Sequence, residues 1–312
     1  MRFSVWPSLM QPVDDVLAVA RHAETTGWDG VWLADHFMGD GGGFGAEDAP
    51  MLEATAVLGA LAVATDRVRI GSLVLGTTYR HPAVTAKWAV TVDRLSARGG
   101  GPGRLVLGLG AGWQRNEHDQ YGIDLPAVGD RVTRFSEYVR VVRRLFEEPT
   151  ADFDGQWFRL SGARCEPKAE PGPGRPGGIP ILVGGKGDRM IALAARQADE
   201  WNMWGLPDVI AERSAVLDRG CEAIGRDPAS VGRSTQALLL PTEDDARARR
   251  FTDAVAPRAA VAGSADRIAD TVARWAEVGV DEVIVPDSPL GRGSERRDHL
   301  DALAEVFAPF RG

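Results

Sequence analysis

Cysteine is scarce: Cys165 and Cys221 are the only two in 312 residues, far apart and in no CxxC or metal-type spacing. That scarcity excludes a disulfide framework and a cysteine zinc site, and it fits a reducing compartment. Lysine is nearly absent as well, with Lys87, Lys168 and Lys186 alone among 36 basic residues, and the formal net charge is -8. No stretch concentrates Lys and Arg over the acids, so no nucleic-acid partner is expected, because phosphate binding needs such a cluster. No apolar run approaches a membrane span, and the chain opens on a strand-like RFSVW instead of a basic segment followed by an apolar one. The expectation is a cytoplasmic protein that does not enter a membrane.

Several chemistries lack their residues too. No G-x-S-x-G elbow is present, and neither cysteine sits in a motif suited to covalent catalysis. A hydrolytic metal centre would want several His and acidic ligands on different strand ends, yet the first strand offers no histidine. Of five histidines, His22 and His299 fall on helices and His81 precedes Pro82, leaving His36 and His118 for a site. No metal is expected.

What is present is alternation. Short apolar runs at 2–8, 30–36, 68–76, 104–112, 179–185, 200–205, 232–241 and 280–286 read as strands. Segments of helical period separate them at 13–26, 51–65, 82–98, 129–147, 188–199, 207–225, 264–278 and 296–308. Eight such units predict an α/β chain folded as one (β/α)8 TIM barrel over 1–312, with loop insertions, one at 150–178. A doubly wound open sheet is the rival, but it would need a glycine fingerprint after the first strand, where the chain reads VWPSLMQP.

In such a barrel, function gathers at the C-terminal ends of the strands. Asp35 and His36 follow the second strand, GSLVLG lies in the third, GAGWQRNE follows the fourth and GGKGDRM the fifth. An imidazole there serves equally as a proton carrier or as a satisfied, partly buried side chain. GGKG before a helix offers backbone N–H groups, a positive dipole end and a lysine, which suit an anionic group, though an ordinary loop has the same composition. Trp201 and Trp204, beside Asn202 and Met203, fit either barrel packing or stacking on a ring. What the residues leave is one acid or base, a glycine-lined slot and an anion anchor.

The blocks GVWLADHF, RIGSLVLGTTYRHPAVTAK, RLVLGLGAGWQRNEHDQYG and ILVGGKGDRMIALAARQADEWN together resemble the bacterial luciferase-like monooxygenase superfamily. Within it they are most similar to the branch of oxidoreductases that use coenzyme F420, a deazaflavin. The resemblance covers nearly the whole chain. It implies a luciferase-like barrel with the cofactor across its C-terminal mouth and a hydride passed between the deazaflavin C5 and a small organic substrate. His36 would handle the proton, and Asp35 would contact the ring or its ribityl chain. Leu73 and Val74 match a bulge that often contains a non-prolyl cis peptide. Ala111, Gly112 and Asn116 match positions lining the cofactor, while Gly187, Asp188 and Met190 match those around its phosphate. Gly184, Gly185 and Lys186 join them on the anion-binding argument.

Trp113 stands where sugar-phosphate dehydrogenases of this branch carry an acid, and Asp40 where they carry a tryptophan, which speaks against sugar-phosphate oxidation. FMN, with monooxygenase chemistry and a separate reductase, is the alternative, and a barrel that holds flavin without turning it over is a second. The resemblance further implies a homodimer through early helices. The loop at 39–49 and the 150–178 insertion are expected to wall and cover the substrate pocket.

Overall fold

A computed structural model describes residues 1–97, 100–173 and 175–311. The last residue of the helix expected at 82–98, one residue of the 150–178 insertion and residue 312 lie outside them. The chain begins with β1 (Arg2–Trp6), α1 (Val13–Thr25), β2 (Gly30–Leu33), α2 (Ala54–Ala64), β3 (Arg69–Ser72), β4 (Leu75–Gly76) and α3 (Pro82–Ser96). It continues through β5 (Leu105–Gly110), α4 (Arg115–Tyr121), α5 (Val128–Glu147), β6 (Ala151–Asp154), β7 (Arg159–Ala163), β8 (Ile181–Gly184), α6 (Asp188–Gln197) and β9 (Glu200–Trp204). Then follow α7 (Pro207–Glu222), β10 (Gly232–Gln236), β11 (Leu238–Pro241), α8 (Asp245–Val255), β12 (Ala260–Gly263), α9 (Ala265–Glu277), β13 (Glu282–Pro286) and α10 (Gly293–Phe307).

All barrel pairings are parallel. β1 pairs with β2, β2 with β3, and β3 and β4 with β5; the ring continues through β8, β9, β10 and β13, which returns to β1. The eight-stave barrel read from the sequence is therefore the fold. Local chemistry sets the helix starts. His81 accepts the Ala83 N–H at 3.2 Å ahead of Pro82 at the first turn of α3, and Asp244 accepts the Ala246 and Arg247 N–H groups at the head of α8.

Strand alternation produces two cores. Inside the barrel, Trp6, Trp32, Leu73, Val106, Leu182 and Ile284 pack together; the opposite strand faces pack on the helices. Gly71 is required by this inner layer, since a Cβ there would lie 2.4 Å from the Trp32 ring. Truncating one of its aliphatic members to alanine would cost about 2–5 kcal/mol.

The N-terminal end of the barrel is closed by ions. Glu282 is fully buried and accepts from Ser4 Oγ at 2.6 Å, Trp32 Nε1 at 2.8 Å, Arg69 Nη1 at 2.5 Å and Arg2 Nε at 3.2 Å; Arg69 also pairs with Glu200. Burial alone would push the Glu282 carboxyl up, but the two guanidiniums and two neutral donors hold it below its ordinary range.

Three expectations need correction. The third strand does not run unbroken from 68 to 76: it is interrupted at Leu73–Val74, where the non-prolyl cis peptide implied by the family resemblance is found. The expected strand at 232–241 is two strands, because β10 stays in the barrel while β11 leaves it to pair with β12 around α8, a unit the periodicity did not reveal.

Third, the 150–178 insertion does not wall the pocket. Its hairpin, β6 with β7, is antiparallel as the alternation suggested, but it follows a helix and precedes a strand, and such connections lie at the N-terminal face. Arg175 fixes it there, with Nη1 2.9 Å from Asp93 Oδ1 and a further bond to the Gly103 carbonyl just ahead of β5. The β11–α8–β12 unit lies between a strand and a helix, so it belongs to the opposite face.

Candidate active site

A cavity of about 730 Å³ occupies the C-terminal mouth of the barrel. His36, Leu73, Val74, Ala111 and Gly112 stand on its wall, as do Gly184, Gly185, Lys186 and Met190. Of the βα connections, the one after β2 contributes Phe44, and the one holding β11 and β12 contributes Pro257, Arg258 and Ala259.

His36 emerges directly after β2 and is tied to α4. Its Nδ1 lies 3.0 Å from Glu117 Oε1, while Glu117 Oε2 accepts the Phe37 N–H at 2.8 Å and the Tyr79 hydroxyl donates to Oε1. Glu117 is fully buried. Burial would raise its carboxyl, but hydrogen bonds from His36, Tyr79 and the Phe37 N–H outweigh it and hold the group below its ordinary range. Burial and the adjacent carboxylate push the Tyr79 phenol up, which keeps it a donor.

An anionic Glu117 can only accept, so the neutral imidazole carries its proton on Nδ1 and leaves Nε2 as the basic nitrogen. The Phe44 ring, 5.2 Å from the imidazole centroid to centroid, and Trp113, 5.4 Å away and edge-on, flank the ring. Phe44 is presented by an Asx turn in which Asp40 Oδ1 accepts the Gly42 and Phe44 N–H groups at 2.9 and 2.8 Å.

Asp35 lines the cavity, but its carboxylate is fully enclosed in the wall. It takes a bidentate pair of bonds from Arg80 at 2.6 and 3.1 Å and the Gly76 N–H at 3.0 Å. Arg80 also reaches Glu53, the cap of α2. Burial pushes the Asp35 carboxyl up, and Arg80 works against that. In this arrangement Asp35 fastens the strand-three break to the strand carrying His36 instead of presenting its oxygens to the cavity.

The break itself shapes the floor. Val74 turns across the barrel onto Gly110 and Gly184, where an added Cβ would lie 2.6 and 3.0 Å from its methyls. Gly112 has φ +86° and Gly185 φ +152°, so both hold backbone shapes that side-chain-bearing residues rarely adopt. Beyond this floor α6 begins, with Gly187 as its N-cap and Lys186 exposed beside it.

Three expected contacts lie off the wall. Gly187 and Asp188 are not on it, and the Asp188 carboxylate pairs with Arg213 on α7, leaving only backbone N–H groups at the helix start. Asn116 donates to the Gly39 carbonyl at 2.8 Å, so it secures the loop after β2. His118 is buried between Gln114 and Thr78 as a structural group. Trp201 is wholly buried, with its indole N–H on the Gly185 carbonyl, whereas Trp204 faces the cavity.

Glu117, Tyr79 and Arg80 were not assigned roles from the sequence. Glu117 lies in the first turn of α4 and could have been paired with His36 as the acid needed to orient an imidazole. Nothing local marks Phe44 or Arg258. Gln236, at the end of β10, is buried on the cavity wall with Oε1 lacking a donor, an orphan expected of a site built for a ligand.

With this geometry in view, residues 1–257 match the model of the luciferase-like monooxygenase family. The chain belongs to that family. It is 30% identical over 91% of its length to an F420-dependent glucose-6-phosphate dehydrogenase of Kineococcus radiotolerans, covering 82% of that protein. It is 30% identical to a pyrimidine monooxygenase of Escherichia coli over 64% of this chain and 52% of that protein. A solved F420-dependent secondary alcohol dehydrogenase, in complex with an F420-acetone adduct, superposes with a TM-score of 0.85 over 100% of this chain and 99% of that one at 22% identity, which supports the fold.

Proposed function

We propose that the protein is a coenzyme F420-dependent oxidoreductase acting on a small organic substrate. The observation that carries this reading is His36, backed by a buried Glu117 carboxylate, at the edge of a glycine floor that ends on the start of α6. The residues fit a planar cofactor with an anionic tail. Side chains at Gly110 or Gly184 would collide with Val74, so the floor stays flat, and Lys186 with the α6 N-terminus suits a phosphate. The similarity to the Kineococcus dehydrogenase supports the deazaflavin over FMN.

When bound, the deazaflavin supplies a carbon that accepts or returns a hydride. The chain's own part is the proton. His36 Nε2 takes it from a substrate hydroxyl during oxidation or returns it to a carbonyl during reduction, and Glu117 steadies the charged ring. Tyr79 and the Phe37 N–H hold Glu117 in place. Phe44 and Trp113 keep water from the imidazole.

Fluorescence titration of the purified protein with each cofactor tests the reading. Saturable binding of F420, at least about tenfold tighter than FMN, is expected. Tight FMN binding with none for F420 would overturn it in favour of a flavin monooxygenase. F420 binding without turnover of any alcohol or carbonyl compound would favour a barrel that holds the cofactor without using it. Light scattering checks the proposed homodimer.

A further inference from the structure

Two cations on the cavity wall have no acidic partner among the described residues. Lys186 stands beside the start of α6 after β8, and Arg258 stands in the connection between β10 and β12, two staves along the barrel. Arg258 is exposed, and its guanidinium donates from Nη1 to the Gly43 carbonyl at 3.1 Å, which joins the two loops over the mouth.

A side chamber of about 280 Å³ lies at the same place. It shares His36, Phe44 and Arg258 with the main cavity, and Trp6, Met10, Met51, Trp204 and Leu238 supply apolar walls. The one acid on its wall, Asp287, is fully buried and already engaged by the Ser8 N–H at 2.8 Å, Gln11 Nε2 at 3.1 Å and Arg296 at 3.0 Å. It does not neutralise Arg258.

We infer that the substrate is an apolar organic acid. Its carboxylate is received by Arg258, its hydrocarbon body fills the side chamber, and its hydroxyl or carbonyl group is held toward His36 Nε2. The inference rests on the function proposed above, in which the cofactor's tail occupies the Lys186 end and leaves Arg258 for the substrate. A guanidinium reads a carboxylate through two parallel bonds, so the acid is distinguished from a neutral molecule of the same shape. The walls are mainly tryptophan, methionine and leucine, with Ser8 and Ser288 the hydroxyl side chains among them, so most of a sugar's hydroxyls would be left unpaired, which is costly.

The test uses the purified protein loaded with F420 and, in parallel, the Lys186→Ala protein without cofactor, so that Lys186 does not capture the acid; 3-phenylpropionate and its neutral isostere 3-phenylpropanamide are titrated into each by calorimetry at low salt. Both proteins are expected to prefer the acid by at least about tenfold, the size of a hydrogen bond to a charged group. Arg258→Met, made in each, should bind both ligands equally, at the affinity seen for the amide with Arg258 in place, and Arg258→Lys should keep an intermediate preference. Because Arg258 is exposed, an unchanged melting temperature serves as the folding control. Equal binding with Arg258 in place, a preference that survives Arg258→Met, or no binding of either ligand would overturn the inference. A parallel F420 titration separates the two ideas: lost cofactor binding with an intact acid preference sinks the function proposed above, and the reverse sinks this one.

Discussion

Each end of the barrel buries one glutamate completely, and the two are used oppositely. At the N-terminal end, Glu282 is surrounded by Arg2, Arg69, Ser4 and Trp32 and is wholly buried. At the C-terminal end, Glu117 is surrounded by His36, Tyr79 and a backbone N–H, and His36 borders a cavity of about 730 Å³. Guanidiniums keep their charge at any ordinary pH, so the first cluster is fixed. An imidazole whose Nδ1 is held by a carboxylate keeps Nε2 free to take up and give back a proton, so the second can work. One carboxylate locks a fold and the other arms a base.

The largest effect expected is on turnover. His36→Ala should lower kcat by about 10²–10⁴-fold while F420 affinity stays within several-fold, read by steady-state rates beside fluorescence titration. Unchanged turnover would place the proton elsewhere. At the opposite end, Glu282→Ala should cost about 1–3 kcal/mol in denaturant unfolding, because it leaves the buried Ser4 hydroxyl and Trp32 indole N–H without an acceptor and takes one of two carboxylates from Arg69. Activity per folded molecule should be kept, and a selective loss of activity would erase the contrast between the ends.

The acid side of the stability profile sharpens the same contrast. The Glu282 carboxyl is depressed in the folded state, so its contribution is present above the ordinary carboxylate range and is lost as pH falls through the folded value. Stability curves of the protein and of Glu282→Gln should therefore converge in acid; a gap that widened there would reverse the sign.

Glu117→Gln should lower kcat by roughly 10- to 150-fold with KM little changed, the worth of a charge-assisted hydrogen bond to the ring. The smallest effect belongs to Lys186→Ala, with F420 binding weakened by up to about fivefold and the loss shrinking as salt rises. A salt-independent loss would point to packing instead of charge.

The two ends were not equally legible. Strand and helix periodicity exposed the eight staves, and with them the face on which Asp35, His36 and the glycine floor lie. The triad of His36, Glu117 and Tyr79 was hidden because its members are 38 to 81 residues apart and meet only when the barrel closes. Asp35 shows the opposite difficulty. Its position at a strand end points to the cavity, yet Arg80, 45 residues on, draws its carboxylate into the wall.

The 150–178 insertion was visible by composition, but its face followed from connection order, helix to strand, which composition does not report. The β11–α8–β12 unit was missed for a related reason. ALLLP follows β10 (GRSTQ) with no turn residue between them, and only pairing with β12 shows that the chain has left the barrel.

The contrast between the two ends rests on which nitrogen of His36 carries the proton. Ring ¹⁵N resonances of the five histidines, with His36→Gln to assign the one that matters, report this directly at a pH where the ring is neutral. The account predicts a protonated Nδ1 held by Glu117 and a bare Nε2. A bare Nδ1 with the proton on Nε2 would contradict it.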